Sequence, residues 1–316
     1  MFQLYKNRNF SQYIGDTLEF FQKDFKNFFR GYFVINGSLL LVIIVLMAIL
    51  MKIFYEGLKS NFGSSTFETA FERYMLENLG MFISMGGLLV VMLMIISILN
   101  YLYPVSYLSL VAEKKPFETA DIASRMKQKI GKALVFFIIS FFVLMPVLAI
   151  IMVLCFLLIF VIIGIPLLLI LIPTFISFTT LAFYDYMLTE NGYFTSLSNG
   201  FKILFHKFWH ILGSTVIVYI FVQLVTNAIT IIPYFFAAGS MLVNPKSMQS
   251  TDGTMPEGVG FLMVMMALLF VVAIVVSYVL QNIILVNQGI IYYSYKNETE
   301  KIETYSEIDS IGKTDE

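Results

Sequence analysis

His206 and His210 lie four residues apart in a helical pattern, a spacing that can bring two imidazoles to one metal ion. No Cys, Asp or Glu lies within two turns to complete a coordination sphere. The pair follows Lys202 along a polar stripe of the kind that meets lipid headgroups, so no metal is expected. These are also the only two histidines in the chain, and no Gly-x-Ser-x-Gly elbow is present to be served by an imidazole base. Cys155 is the single cysteine and falls inside an apolar run, where it reads as a packing residue. The sequence holds no Gly-rich phosphate loop, no Walker lysine and no dinucleotide fingerprint. No basic patch interleaved with aromatics points to nucleic acid. The expectation is a chain that is not an enzyme and carries no cofactor.

The remaining polar side chains of interest are amides set in uncharged surroundings. Gln223, Thr226, Asn227 and Thr230 form one group, Gln281, Asn282, Asn287 and Gln288 a second, and Asn100 stands alone. Interhelical hydrogen bonding is the ordinary role of such groups in lipid. A polar groove that receives a lipid headgroup or a protein partner is the sharper alternative, and Gln223, Asn227, Gln281 and Asn282 are its candidate lining.

The elements that must position these amides are set by one feature. From Ala133 to Tyr184, 52 residues pass without a charged side chain, with Gly164, Ile165 and Pro166 at the middle. One continuous helix of that length would reach about 78 Å, against a hydrocarbon core of about 30 Å. The run is therefore two spans folded back on each other. Four more uncharged stretches, Gly31 to Met51, Asn78 to Ala112, Ile211 to Pro245 and Gly258 to Tyr295, complete an inventory of six spans. Their cores are predicted at 33–53, 79–103, 134–160, 165–186, 211–237 and 260–292. With 59% hydrophobic and 13% charged residues and a mean hydropathy of +0.83, the chain lies outside the range of soluble domains. The fold class is all-α and polytopic. Spans that couple transport to protons or sodium usually keep an ionisable residue in the bilayer, and none of the six cores has one. The first 30 residues lack the apolar core of a signal peptide.

Amphipathic segments precede the spans. Ile14, Leu18, Phe21, Phe25 and Phe28 step by three or four, with Asp16, Glu19, Lys23 and Lys26 on other faces. Leu197, Phe201, Leu204, Phe208 and Ile211 repeat the spacing, and Ile122, Met126, Ile130 and Leu134 form a weaker copy. Phe21, Phe25, Phe201 and Phe208 are the expected anchors at the headgroup boundary. Each copy leads into a pair of spans, so residues 1–295 read as one membrane domain of three units, about 10–103, 117–187 and 194–292. Ser65 and Glu68 have capping-box spacing ahead of Phe67, Ala70, Phe71 and Tyr74, which predicts a short helix in the first outer connection. The connection Gly239 to Gly258 is expected to be irregular. Residues 296–316 carry seven acidic side chains and read as a disordered tail.

Three motifs carry a likeness to a known group. The segment Ser196, Leu197, Ser198, Asn199, Gly200, Phe201, Lys202 through Phe208 and Trp209 leads into a span, Gly164-Ile165-Pro166 makes a hairpin, and Asn287-Gln288-Gly289-Ile290-Ile291-Tyr292-Tyr293 ends the last span. With these the chain resembles bacterial six-span inner-membrane families that include the membrane domain attached to some glycerophosphoryl diester phosphodiesterases. The resemblance implies the six-span architecture and a role in the bilayer. In those enzymes a separate soluble barrel does the catalysis, and these residues contain none, so phosphodiesterase activity is not implied. The expected function is an accessory or scaffold subunit of a bacterial inner-membrane assembly, of the kind used in protein export or envelope biogenesis. Its partners are membrane lipids and other integral membrane proteins, not nucleic acid. The rival expectation is a carrier or flippase-like protein for lipids or amphiphiles.

Basic residues partition 16 to 4 between the two sets of connections and termini, which places both termini in the cytoplasm. In a Cys155→Ser background, an impermeant thiol reagent applied to cells with an opened outer barrier is expected to label Ser247→Cys and spare Ser310→Cys. The reverse pattern inverts the topology.

Overall fold

The computed structural model describes residues 2–61, 67–159, 164–243 and 255–300. Eight helices occur among them: α1 (Phe10–Asn61), α2 (Phe67–Glu77), α3 (Leu79–Ala112), α4 (Thr119–Ile159), α5 (Gly164–Leu188), α6 (Tyr193–His206), α7 (Phe208–Val243) and α8 (Glu257–Glu300). Six of these, all but α2 and α6, are long and apolar enough to cross a membrane. The fold is all-α and polytopic, with six spans in the predicted order.

The helices overrun the predicted cores of the spans. At 52 residues α1 is about 78 Å long, so its ends must project beyond the hydrocarbon. The amphipathic segments at residues 10–30 and 119–134 are the N-terminal stretches of α1 and α4. Only the third copy is a helix of its own: α6 ends at His206, and Lys207 leaves helical geometry with φ −136° and ψ 55°. The short helix expected in the first outer connection is α2, while Ser65 of its capping box lies outside the described residues. Gly239–Val243, expected to be irregular, continues α7. The rest of that connection between 244 and 254 lies outside the described residues, as does the tail from 301 to 316.

The chain divides into two compact units. The first comprises Met1–Ile35, Ile98–Val222 and Leu280–Glu316, and the second Asn36–Ser97 and Gln223–Val279. Helices α1, α3, α7 and α8 contribute a segment to each.

In the first unit, residues 284–294 of α8 are buried without interruption, so this stretch is enclosed by other elements on every side. The N-terminal part of α1 packs on α3 through Phe28, whose ring meets Tyr103 at 5.0 Å and Tyr107 at 4.9 Å. The Tyr103 hydroxyl donates to the Phe28 carbonyl. Ahead of α1, residues 2–9 form a hook. The buried Arg8 guanidinium donates to the carbonyls of Gln3 at 2.6 Å, Leu4 at 2.7 Å and Lys6 at 3.0 Å, and to Asp16 Oδ2 at 2.7 Å. Phe2 and Leu4 are thereby held in the core. The hook also reaches the end of α8, where Asn297 Nδ2 donates to Asn7 Oδ1 at 3.0 Å.

Helices α4, α5 and α6 pack in sequence. The last turn of α5 leaves carbonyls without intrahelical donors, and two lysines of α4 supply them: Lys129 Nζ donates to Met187 O at 2.8 Å and Lys132 Nζ to Thr189 O at 2.6 Å. Buried Asp185 accepts from Asn191 Nδ2 at 2.9 Å and Asn199 Nδ2 at 3.0 Å, which fixes α6 against α5. Gly200 makes the close approach possible, because a Cβ there would stand 2.8 Å from the Ala182 Cβ. Gly164 serves the α4–α5 hairpin in the same way, its missing Cβ falling against the Cys155 carbonyl.

In the second unit α2 rests on α1, with the Tyr74 hydroxyl donating to Ile53 O at 3.2 Å beside Gly57. Ser97 of α3 and Tyr278 of α8 share a hydrogen bond of 3.1 Å.

Gly200→Leu is expected to force α6 off α5 by overpacking, at a cost of about 1–3 kcal/mol. Limited proteolysis of residues 193–206 should accelerate while the six spans stay inserted. Unchanged cleavage would mean that the α5–α6 contact does not hold α6 in place.

Candidate lipid groove and the buried polar core

The amides of the sequence sort into two environments. Asn100 of α3, fully buried, is the centre of the first: its Oδ1 accepts from the Tyr32 hydroxyl at 2.9 Å and from Asn282 Nδ2 at 3.0 Å, and its Nδ2 donates to Gln281 Oε1 at 2.9 Å. One side chain thus ties α1, α3 and α8 together. Two turns along α8, Asn287 Nδ2 donates to Thr17 Oγ1 at 3.0 Å and to the Tyr13 carbonyl at 3.2 Å. Gln288 Nε2 donates to Thr215 Oγ1 at 2.8 Å, and Thr215 shares a hydrogen bond of 2.8 Å with Ser177. These contacts carry α8 onto α1, α7 and α5. Of the four amides expected to line a groove, Gln281 and Asn282 therefore meet at Asn100 inside the first unit. Gln223 and Asn227 belong to the second, where Gln223 is half-buried and Asn227 exposed.

The expected aromatic anchors are also distributed. Phe25 and Phe201 are exposed, at 59% and 53%. Phe21 and Phe208 are half-buried. Phe201, Phe205 and Phe208 stack in a row with centroids 4.2 and 5.0 Å apart, beside exposed Trp209. His206 and His210 do not share a helix, because the break at Lys207 separates α6 from α7. His206 Nε2 instead lies 3.3 Å from Glu298 Oε2, and Lys207 Nζ binds the same carboxylate at 2.7 and 2.8 Å. Among the described residues no three His, Cys, Asp or Glu side chains cluster in metal-holding geometry.

The described residues of the second unit form a large concavity that sequence reasoning missed. A groove of about 1040 Å³ runs between α1, α7 and α8, at the top of the size range of small-molecule sites. Its walls are apolar, with Ile44, Ala48 and Met51 from α1 facing Ala267 and Val271 from α8. Polar groups are few: Lys52, Tyr55, Thr230 and Tyr234. The Thr230 hydroxyl is satisfied by Asn227 O of its own helix at 2.9 Å. Lys52 is the first charged residue after the uncharged run Gly31 to Met51, so it marks one edge of the hydrocarbon. The α1 wall from Ile44 to Leu58 is about 21 Å long, roughly two-thirds of the hydrocarbon thickness. The sequence signal for it was the small residues Ala48 and Ala267 between large neighbours, too common a pattern to be singled out.

No family model, curated protein or solved structure matches this chain.

Asn100→Leu removes three interhelical hydrogen bonds, each worth about 0.6–2 kcal/mol in lipid, so stability should fall by about 2–4 kcal/mol. Asn227→Leu, at an exposed site, should leave it unchanged. Denaturant titration in detergent checks the pair, and equal stability of Asn100→Leu and the parent chain would remove Asn100 as the tie among the three helices.

Proposed function

We propose that this chain is a non-enzymatic lipid- or amphiphile-binding protein of a bacterial cytoplasmic membrane, with both termini in the cytoplasm. The observation that carries the reading is the groove of about 1040 Å³ lined by α1, α7 and α8 within membrane-crossing helices. A concavity with apolar walls inside a bilayer has acyl chains as its available ligand, and Lys52 at one end gives a headgroup somewhere to sit. The 16 to 4 partition of basic residues supports the orientation. Kinship with the membrane domain of glycerophosphoryl diester phosphodiesterases is proposed on residues 164–166, 196–209 and 287–293 and agrees with a role in the bilayer.

The scaffold reading rests on a different observation, the exposed Asn227 on a span. An amide in hydrocarbon gains most by bonding to another membrane protein. Gln281 and Asn282 lend it no support, since Asn100 engages both.

Ala267→Trp should fill the groove from its α8 wall, whereas Leu154→Trp adds the same bulk on the exposed face of α4. Native mass spectrometry of delipidated protein given back bilayer lipid is expected to show one retained lipid on the parent chain and on Leu154→Trp, and none on Ala267→Trp. Equal retention by all three defeats the carrier reading. A stoichiometric protein partner that disappears with Asn227→Leu would establish the scaffold in its place.

A further inference from the structure

We propose that the groove selects a zwitterionic phospholipid, with the lipid phosphate on Lys52 and the headgroup amine on Glu56. This rests on the lipid-binding reading and adds to it the class of lipid.

The first argument is depth. From Lys52 down to Ile44 is eight residues, about 12 Å along α1, close to the roughly 15 Å thickness of one hydrocarbon leaflet. An acyl chain lying against Ala48, Ala267 and Val271 would therefore bring its glycerol and phosphate to the level of Lys52. The Thr230 hydroxyl does not compete for it, because it is bonded to Asn227 O.

The second argument is the order of charges. Lys52 stands at the hydrocarbon edge and Glu56 one turn further out, so the helix presents positive charge first and negative charge second. A phosphoethanolamine or phosphocholine headgroup presents the complement in the same order, phosphate next to the glycerol and amine beyond it. Lys52 Nζ and Glu56 Oε1 are 3.8 Å apart, and their side chains are 75% and 55% exposed. An ion pair so loose and so exposed contributes little, and both groups are free to turn to a ligand. Lys59 is a further turn out, about 10 Å beyond Lys52 and out of reach of a phosphate on it.

A headgroup with net negative charge would also satisfy Lys52 but would meet Glu56 unfavourably. Diacylglycerol would fill the groove and leave Lys52 and Glu56 only each other as partners. These differences make the lipid class measurable apart from lipid binding itself. Delipidated full-length protein is offered phosphatidylethanolamine, phosphatidylglycerol and diacylglycerol of the same chain length, and retention is read by native mass spectrometry. Phosphatidylethanolamine should exceed phosphatidylglycerol by roughly two- to fivefold, the range an exposed ion pair supplies. Glu56→Gln should erase or invert that preference. Lys52→Gln should weaken both phospholipids by a similar factor and leave diacylglycerol unaffected. Both side chains are exposed, so neither change disturbs packing, and the unfolding midpoint verifies this. Retention of phosphatidylglycerol equal to or above phosphatidylethanolamine on the parent chain overturns the headgroup assignment, as does a Glu56→Gln protein with unchanged preference. If no lipid is retained, or if Ala267→Trp retains all three as the parent chain does, the lipid-binding reading itself has failed.

Discussion

A buried amide in lipid has no solvent to fall back on, and the first unit is organised by that constraint. Asn100 accepts from Tyr32 and Asn282 and donates to Gln281, so α1, α3 and α8 are fixed in register at one point. No hydrophobic force draws helices together in hydrocarbon, and directional hydrogen bonds and close packing must do so. The remaining interhelical contacts extend the same logic. Asn287 and Gln288 carry α8 onto α1 and α7, and Tyr184 brings α5 to it by donating to Leu285 O at 3.0 Å. Gly289 lets these side chains close in, because a Cβ there would overlap Leu108 and the Tyr184 hydroxyl. A helix enclosed on every side is usually apolar all round. This stretch of α8 is enclosed with Asn and Gln in it because its neighbours supply the partners.

The six spans were legible because the bilayer writes its thickness into uncharged run lengths, and Lys132 and Asp185 bracket two of them unmistakably. The faces were harder. Periodicity marked Ile14, Leu18, Phe21, Phe25 and Phe28 as one stripe of α1; Phe28 is buried, but over the earlier turns the side chains buried in protein are Tyr13, Thr17 and Phe20, one position back along the helix. In water an apolar stripe points to the core. In and beside a bilayer the largest apolar side chains can face lipid, and the stripe toward the protein is written in Tyr, Thr, Asn and Gly. The stripe of α4 is also split: Ile122 and Met126 are buried in protein, Ile130 and Leu134 are exposed, and Ala133 and Phe136 are buried further along.

Tertiary bonding supplied what no local pattern holds. Arg8 reads as one of several basic residues near the N-terminus, and nothing near it in sequence says that three carbonyls and Asp16 will enclose it. Asp185 reads as a charge at a span end, and its partners Asn191 and Asn199 come from the turn and helix that follow. Gln281 and Asn282 were visible as polar groups in a span, but their direction depends on where α3 places Asn100. The break at Lys207 was equally hidden, since residues 193–243 keep an unbroken helical pattern and only the backbone at that residue separates His206 from His210.

The second unit is built on a different balance. Its groove is lined by Met, Val, Leu and Phe side chains, and at Gly80, Gly86 and Gly87 of α3 a Cβ would meet nothing within 4 Å beyond the helix's own backbone and chain neighbours. Apolar walls of this kind gain dispersion contacts from whatever fills them, and in a bilayer that is hydrocarbon. Contacts between chain and lipid tail differ little from one lipid to another, so apolar area gives occupancy without discrimination. In the proposed lipid site, discrimination would come from Lys52, the charged side chain among the described lining residues, and from Glu56 one turn beyond it. A low-specificity tail site with a polar mouth is the arrangement in which a small number of charges decides which lipid is held.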